Sequence, residues 1–308
     1  MEESKNILFR QNEPENLRYQ TIASACYRHG KILSYFAFMC YVIIPCICTI
    51  VQKFITNDTI VAVFCVITLL FWCVGIYLRK RIACYKNYGA CFQQYFDENV
   101  LKIDTSSKKF IVQSTLLLEQ RIKLMKKFKN KNIYSKTNWY NDYSFLSYAK
   151  AVFYCQTENI RWDLDLRKRY INFLFILGIS LLIIIVLFAI LMHQSVVTLI
   201  LALFSALAII EYFYSSYNKI SKDIKKQSLI KSGMEQVERN IKNDRELWNK
   251  IEEIQFEIFE YRKKAYLIPD WFYKIFRKND QDVSDMLAKE LKKERKEPQD
   301  AQNDKKAD

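Results

Sequence analysis

Apolar residues are concentrated in blocks along the 308-residue chain, and the longest block lies in its second half. Ile171–Met192 contains 22 residues without a charge, which as a helix would be about 33 Å long and would cross the hydrocarbon core of a bilayer. Only His193-Gln194-Ser195 separates it from a second apolar segment, Val196–Ile210. Because backbone polar groups in lipid must be satisfied internally, this pattern predicts an antiparallel transmembrane hairpin over residues 170–214.

A second transmembrane hairpin is predicted over residues 32–81. Ile32–Val51 and Ile60–Leu78 carry no charge, and the polar loop Gln52–Thr59 lies between them. Pro45 interrupts the first segment and predicts a kink, because proline removes a backbone donor; a gating hinge and a merely tolerated kink both remain open. The predicted fold is an all-α-dominated integral membrane protein with four transmembrane helices in two hairpins.

Basic residues indicate which side of the membrane the polar segments occupy. Lys31, Arg79-Lys80-Arg81, Arg167-Lys168-Arg169 and the lysines from Lys219 onward all flank the predicted spans on one side. The opposite side carries Lys53. Under the positive-inside rule, both termini and the whole middle region are therefore predicted to be cytosolic.

The N-terminal segment, residues 1–31, is predicted to contribute a cytosolic amphipathic helix. Asn12 reads as its cap and Pro14 as a residue of its first turn. Apolar residues from Tyr19 to Tyr27 then fall on one helical face. This face either lies on the membrane or packs against the rest of the cytosolic domain.

The rest of the predicted cytosolic domain is mainly helical and comes from the middle region and the C-terminal helices. Residues 82–169 form a block in which Cys91–Leu101 continues the second span as a helix, whereas Lys102–Glu119 reads equally as strand or helix. Residues 215–285 carry apolar residues at three- and four-residue steps, which predicts one long helix or two in series. The charged residues 286–308 are predicted to be a disordered tail.

A basic run from Glu119 to Lys136 lies within the middle block, with seven basic residues against one acid. Ammonium groups at this density bind phosphates of a nucleotide, of nucleic acid or of anionic lipid, although a simple solvated surface has the same composition. The candidate phosphate contacts are Lys123, Lys126, Lys127, Lys129 and Lys131.

Polar and aromatic residues recur at helical steps just ahead of the third span. They predict a network that couples the cytosolic domain to the membrane helix, or else a rigid structural junction. The candidate coupling residues are Gln156, Trp162, Asp163, Arg167 and Tyr170.

Catalytic and metal-binding patterns are not found in the sequence. The two histidines, His29 and His193, fall on opposite sides of the predicted membrane, so they cannot form a metal pair or a catalytic pair in one protomer. The nine cysteines show no CxxC pair and are predicted to be reduced. The net charge of +14 is typical of nucleic-acid binding but also of a membrane protein's cytosolic flank. We therefore predict a non-enzyme without cofactor or metal.

The chain resembles the S-4TM family, the SMODS-associated four-span effectors predicted to form pores. Four segments carry the resemblance, together with the arrangement of spans in two pairs. The first segment is Ile7-Leu8-Phe9-Arg10-Gln11-Asn12, and the second is Gln93-Gln94-Tyr95-Phe96-Asp97. The third runs from Cys155-Gln156 through Trp162-Asp163 and Leu166-Arg167 to Tyr170. The fourth is Ile268-Pro269-Asp270-Trp271-Phe272-Tyr273. Such effectors are encoded beside nucleotide second-messenger synthases in bacterial antiphage operons. The resemblance therefore implies a pore in the bacterial inner (plasma) membrane that serves abortive-infection defence.

A pore of this kind requires several copies, because four helices from one protomer pack without an aqueous lumen. A homo-oligomer such as a tetramer is expected, surrounded by membrane lipid. The implied ligand is a cyclic or short linear oligonucleotide, and a cognate nucleotidyltransferase is the expected partner. Polar residues inside the spans are candidate pore-lining positions: Asn172, Ser180, Thr198 and Ser205. The alternative function is a non-conducting scaffold that anchors a partner enzyme through residues 214–265.

Overall fold

The structure is a computed structural model that describes residues 2–52, 54, 55, 57–103, 118–191, 196–241 and 243–304. This part of the chain contains nine α-helices and no β-strand, so the mainly helical fold class is confirmed. The helices are α1 (Glu2–Arg10), α2 (Pro14–Phe38), α3 (Ile44–Gln52), α4 (Asp58–Leu101), α5 (Leu118–Lys127), α6 (Tyr148–Leu191), α7 (Val196–Asn240), α8 (Asp244–Lys264) and α9 (Asp270–Asp304).

The N-terminal helix α2 begins at Pro14, but the prediction that Asn12 caps it was wrong. Glu13 occupies the cap position and makes no side-chain cap bond. The Asn12 amide instead donates hydrogen bonds of 3.0 Å to the Leu8 carbonyl and to the Asn138 side chain. Because α2 continues beyond residue 31 to Phe38, the amphipathic segment and the start of the first apolar segment form one helix.

The backbone accommodates Pro45 with a π-helical turn over Met39–Ile43, directly before α3. A proline deprives the carbonyl four residues earlier of its donor, and here that carbonyl belongs to Tyr41 within the wider turn. The irregularity expected at Pro45 therefore takes the form of a π-turn.

The three longest helices each join an apolar segment to polar sequence. Helix α4 has 44 residues, α6 has 44 and α7 has 45. Helix α4 runs without a break through Cys91–Leu101, which confirms that prediction, and it ends where Lys102 adopts the left-handed conformation at φ 50°. Of the ambiguous segment Lys102–Glu119, residues 104–117 lie outside the described residues.

The helical segments outside the apolar blocks form one compact unit, here called the polar body: the described residues of 2–31, 79–170 and 211–304. Its hydrophobic core joins α2, α4, α6 and α8, with Phe92, Phe96 and Phe259 fully buried. Helices α7 and α8 follow in series, so the second of the two predicted arrangements is observed, and Asn243 caps α8. Their apolar seam, including Met234 and Ile251, is buried within the chain itself.

The C-terminal segment differs from the prediction of a disordered tail over residues 286–308. Helix α9 extends from Asp270 to Asp304. The prediction missed three residues that anchor this helix: Ala288 and Leu291 pack on the core, and the buried Ser284 hydroxyl donates to Glu158 at 2.9 Å. The charged residues 292–297 that follow them are all Lys, Arg or Glu, which have high helix propensity, so they continue an anchored helix.

Two stretches in the described part, Pro14–Cys48 and Thr59–Leu101, are long and apolar enough to cross a membrane. Apolar side chains on the second face outward, among them Leu69, Leu70 and Tyr77. The apolar segment of α6 is helical to Leu191 and exposes Ile176 and Ile184. Residues 192–195, at the predicted turn of the second hairpin, lie outside the described residues.

Candidate functional site

A buried ion-pair cluster lies on α6 directly before the apolar segment that begins at Ile171. Asp163 and Arg167 are one helical turn apart, and the Arg167 Nε donates to Asp163 Oδ2 at 2.8 Å. Arg167 Nη1 also donates to Asp223 Oδ2 on α7 at 3.0 Å and to the Tyr266 carbonyl at 3.0 Å. With 5% of the Arg167 side chain exposed, this cation is held inside the protein.

The same cluster ties in α8 and the segment between α8 and α9. Asp163 Oδ2 accepts further hydrogen bonds from the Gln227 amide at 2.7 Å and from the Tyr261 hydroxyl at 2.5 Å. The Tyr266 backbone N–H donates to Asp223 Oδ2 at 2.6 Å. One cation and two carboxylates thereby connect α6, α7, α8 and the segment leading to α9. We call this set, Asp163, Arg167 and Asp223 with their donors, the Arg167 cluster.

The two carboxylates of the Arg167 cluster differ in their electrostatics. Burial acts to raise the pKa of Asp163, but the charge of Arg167 and three hydrogen bonds outweigh it and hold that pKa below its ordinary value. Burial raises the pKa of Asp223 in spite of the opposing charge of Arg167. Asp163 is therefore the firmly ionised partner of the shared cation.

Aromatic rings close the Arg167 cluster on the side of the apolar segments. The Tyr170 ring packs at 5.0 Å from that of Phe272 and at 6.0 Å from that of Tyr266, measured between centroids. Trp162 packs edge-on against Tyr273 at 5.7 Å. The structure thus brings four of the five predicted coupling residues, Trp162, Asp163, Arg167 and Tyr170, to one joint between α6 and the start of α9.

The fifth predicted coupling residue, Gln156, belongs to a separate buried network. Its amide donates to Gln255 Oε1 at 2.9 Å, and Gln255 in turn donates to Gln94 Oε1 at 2.8 Å and to Asp97 Oδ2 at 3.0 Å. Arg262 forms an ion pair of 2.5 Å with Asp97, and both side chains are at most 10% exposed. This network joins α4, α6 and α8 in the centre of the polar body.

The residues that complete this network were not predicted from the sequence. Asp97 lies in a motif that carries the family resemblance, but its partners Gln255 and Arg262 are more than 100 residues away along the chain. One available signal was Gln255, a polar residue on the apolar seam between Ile251 and Ile258 of α8. A buried amide in such a seam requires a polar partner.

The apolar segments of α4 and α7 are joined by an ion pair at the edge of the polar body. Arg79 of α4 donates to both carboxylate oxygens of Glu211 of α7, at 2.9 and 2.8 Å. The Arg79 guanidinium also lies 4.3 Å from the centroid of the Tyr41 ring, which is buried. The boundary of the second predicted span therefore contacts the boundary of the fourth.

The predicted phosphate contacts lie on α5 and in the turn that follows it. Lys123 is exposed and pairs with Glu119 at 2.5 Å. Lys126, Lys129 and Lys131 are exposed, and the Lys127 ammonium donates to the Tyr85 hydroxyl at 3.2 Å. These five lysines therefore form a surface that is separate from the Arg167 cluster.

Two cavities in the described part of the structure lie away from the predicted sites. A cavity of about 390 Å³ lies between α6, α7 and α9, and another of about 580 Å³ lies between α7 and α8. Neither is lined by the five lysines or by the predicted coupling residues.

The predicted pore-lining positions are placed only in part. Asn172 and Ser180 are exposed on α6, and the Ser180 hydroxyl donates to the Ile176 carbonyl of its own helix at 2.8 Å. Thr198 and Ser205 lie on α7, where their side chains fall outside the described part of the structure.

The possible metal ligands are the His, Cys, Asp and Glu side chains, and the possible disulfide partners are the cysteines. Within the described residues, no group of three or more His, Cys, Asp and Glu side chains could hold a metal ion. All nine cysteines are free thiols, and Cys26, Cys91 and Cys155 are buried in the hydrophobic core.

Long helices with outward-facing apolar segments, continuous with a polar body, define a helical membrane protein. A sequence model of the SMODS-associating 4TM effector domain matches residues 5–291, and the chain belongs to this family. The family name describes a four-span effector associated with nucleotide-signalling systems, as the sequence resemblance implied. Searches of the curated proteins and of the solved structures returned no match.

Proposed function

We propose that this protein is a homo-oligomeric effector that forms an ion-conducting pore in the bacterial inner membrane during antiphage defence. Family membership supports an effector role in nucleotide signalling. The outward-facing apolar side chains of α4 and α6 support insertion in lipid and contact between copies. The chain crosses the membrane four times, with the polar body and both termini in the cytosol. In an oligomer, Asn172, Ser180, Thr198 and Ser205 are the polar groups available to the pore.

The Arg167 cluster is the observation that carries the gating proposal. It binds α6, α7, α8 and the segment before α9 at the point where α6 enters its apolar segment. A displacement of α8 or α9 in the polar body therefore acts directly on the base of two spans. Gln156 extends this connection to α4 through Gln255 and Asp97.

The signal in this proposal is a cyclic or short linear oligonucleotide made by a cognate nucleotidyltransferase. Its binding to the polar body shifts the pore between conducting and silent states according to its relative affinity for the two. Lys123, Lys126, Lys127, Lys129 and Lys131 are proposed as phosphate contacts, to the oligonucleotide or to anionic lipid, because their ammonium groups lie at the surface.

An ion-flux experiment tests this function. Purified full-length protein is reconstituted in liposomes, and flux is recorded with and without a panel of cyclic and linear oligonucleotides. We expect flux that changes with one nucleotide and that becomes insensitive to it in Arg167→Lys, which keeps the cation but loses the forked contacts with Asp223 and the Tyr266 carbonyl. Lys289→Gln, on the exposed surface of α9, is the matched control and should respond normally. Absence of flux under every condition would contradict the pore.

The alternative of a scaffold acting through residues 214–265 is not favoured by the packing. The apolar seam that would receive a partner, including Ile220, Met234 and Ile258, is buried against the chain's own helices.

A further inference from the structure

Helix α5 runs along α4 toward its apolar segment. Near the start of α5, Arg121 donates to the Tyr19 hydroxyl at 2.5 Å and lies 4.8 Å from the centroid of the Tyr95 ring. Near its end, the Lys127 ammonium donates to the Tyr85 hydroxyl at 3.2 Å. Because Tyr85 precedes Tyr95 on α4, α5 is antiparallel to α4, and its C-terminal end points toward the apolar end of the molecule.

The turn after α5 lies close to the end of the apolar segments. On α4, Tyr85 lies seven residues, or about 10 Å, beyond Leu78, where the apolar segment ends. On α2, His29 lies three residues, or about 5 Å, before Ile32, where the other apolar segment begins. The centroid of the His29 ring lies 5.5 Å from that of Tyr85 and 5.5 Å from that of the buried Phe128, the residue that follows the end of α5. Phe128 is thereby held at the level of His29.

The same turn carries an uncompensated positive charge. From residue 120 to residue 141 the sequence contains no acidic residue, and Lys126, Lys129 and Lys131 are exposed. Burial lowers the pKa of His29, and the charges of Lys127, Lys131 and Arg28 lower it further. These three cations therefore lie near the His29 ring. We call the segment Lys126–Lys131 the lysine turn.

We propose that the lysine turn docks on the phosphates of anionic lipid headgroups in the membrane that the chain spans. A headgroup layer extends roughly 5–7 Å beyond the hydrocarbon core on each side, which brings it within reach of flexible lysine stems held about 10 Å from that core. Each lysine near an anionic surface adds to the attraction. The inference rests on the proposed placement of residues 60–78 in the bilayer.

Lipid explains the position of the lysine turn as well as its charge. A free oligonucleotide supplies the same phosphate chemistry but gives no reason for the turn to lie at the membrane boundary. Docking of the turn holds the α2–α4 pair at a fixed height, because Lys127 and Phe128 contact Tyr85 of α4 and His29 of α2. The effector would then require anionic lipid for its normal arrangement.

Hydrogen exchange of the full-length protein in nanodiscs tests the proposal. Exchange of residues 118–136 is compared in phosphatidylcholine alone and in phosphatidylcholine with phosphatidylglycerol. We expect exchange to be slower by at least about fivefold with phosphatidylglycerol, the effect of a single lysine at an anionic surface. The triple variant Lys126→Gln, Lys129→Gln, Lys131→Gln should lose this difference. The control variant Lys225→Gln, Lys250→Gln, Lys289→Gln changes the same charge far from the membrane boundary and should keep it.

The possible outcomes distinguish lipid binding from nucleotide binding by the lysine turn, and they distinguish a failure of either from a failure of the pore proposal. Equal exchange in the two lipids, with residues 60–78 still protected, overturns docking and leaves the pore proposal standing. Protection of residues 118–136 by a cyclic dinucleotide in phosphatidylcholine alone, without any effect of phosphatidylglycerol, overturns docking in favour of a nucleotide site. Free exchange of residues 60–78 overturns the membrane placement on which docking rests.

Discussion

Arg167 shows how a single buried cation organises several helices. Its guanidinium contacts Asp163, Asp223 and the Tyr266 carbonyl, so its donors point in fixed directions to three different elements. Burying these charges is costly, and the cost is offset because hydrogen bonds from Gln227 and Tyr261 satisfy the carboxylate of Asp163. A surface ion pair such as Lys123–Glu119 contributes much less to the stability of the fold, because water screens both charges.

Replacement of Arg167 should destabilise the polar body strongly. In Arg167→Met the buried carboxylate of Asp223 and the partly buried one of Asp163 lose their cation, and we expect the free energy of unfolding to fall by about 3 kcal/mol. Lys123→Met should change it by less than about 1 kcal/mol, because that pair is exposed. Denaturant titration of the detergent-solubilised protein, followed by tryptophan fluorescence, measures both. Equal effects of the two substitutions would contradict the role given to Arg167.

Among the helices, α2 and α4 form a closely packed pair that extends from the polar body into the first hairpin. Their approach depends on Gly89 of α4: a Cβ atom there would lie 2.8 Å from the Tyr27 ring of α2. The Tyr27 hydroxyl donates to Gln93 at 3.2 Å, which fixes the ring in this position. The absence of a side chain at Gly89 therefore determines how closely the two helices pack.

Alanine substitutions at two glycines should have opposite effects on stability. Gly89→Ala forces Tyr27 away from α4 and should cost about 1–3 kcal/mol of unfolding free energy. Gly233→Ala meets no atom within 4 Å on α7, and it should stabilise the protein by about 0.4–1 kcal/mol, because alanine restricts the unfolded chain. Thermal unfolding monitored by circular dichroism gives the sign of each change. A stabilising effect of Gly89→Ala would show that α2 and α4 are less tightly packed than described.

In the whole molecule, contacts at the boundary of the apolar segments hold the two predicted hairpins together. Arg79 and Glu211 join α4 to α7, while Tyr41 and Tyr212 pack with their ring centroids 5.9 Å apart. The cluster that contains Tyr41 and Ile209 is separate from the core of the polar body. The hairpins are therefore linked twice, once by the polar body and once at the boundary of their apolar segments.

Exchange of the charges of Arg79 and Glu211 should reveal this second link. Arg79→Glu and Glu211→Arg each place like charges opposite one another, and we expect each to lower the free energy of unfolding by about 1 kcal/mol. The double variant restores opposite charges and should recover most of the loss, apart from the contact of Arg79 with the Tyr41 ring. Thermal unfolding of the three variants measures the coupling. A double variant as unstable as the sum of the single variants would contradict a direct ion pair.

Hydrophobic periodicity was sufficient to predict the helical class and the continuation of α4 through Leu101, but for residues 215–285 it left one long helix and two in series equally open. The boundaries were less accurate, since Asn12 does not cap α2 and residues 286–304 are helical. Both errors have the same origin. The partners Asn138 of Asn12 and Glu158 of Ser284 are more than 100 residues away in sequence, and local propensity cannot register such distant contacts.

The sequence by itself determined the positions of the apolar segments and the helices, because burial in lipid or in a core imposes a period on neighbouring residues. It also indicated Asp163 and Arg167 as a polar pair, because residues four apart meet on one helical face. Only the tertiary structure decided that Asp223 shares this cation, that Gln156 joins Asp97 and Arg262 instead, and that the lysine turn lies beside Tyr85. Those pairings join helices that are remote along the chain, and only the packing of the complete chain brings them within hydrogen-bonding distance.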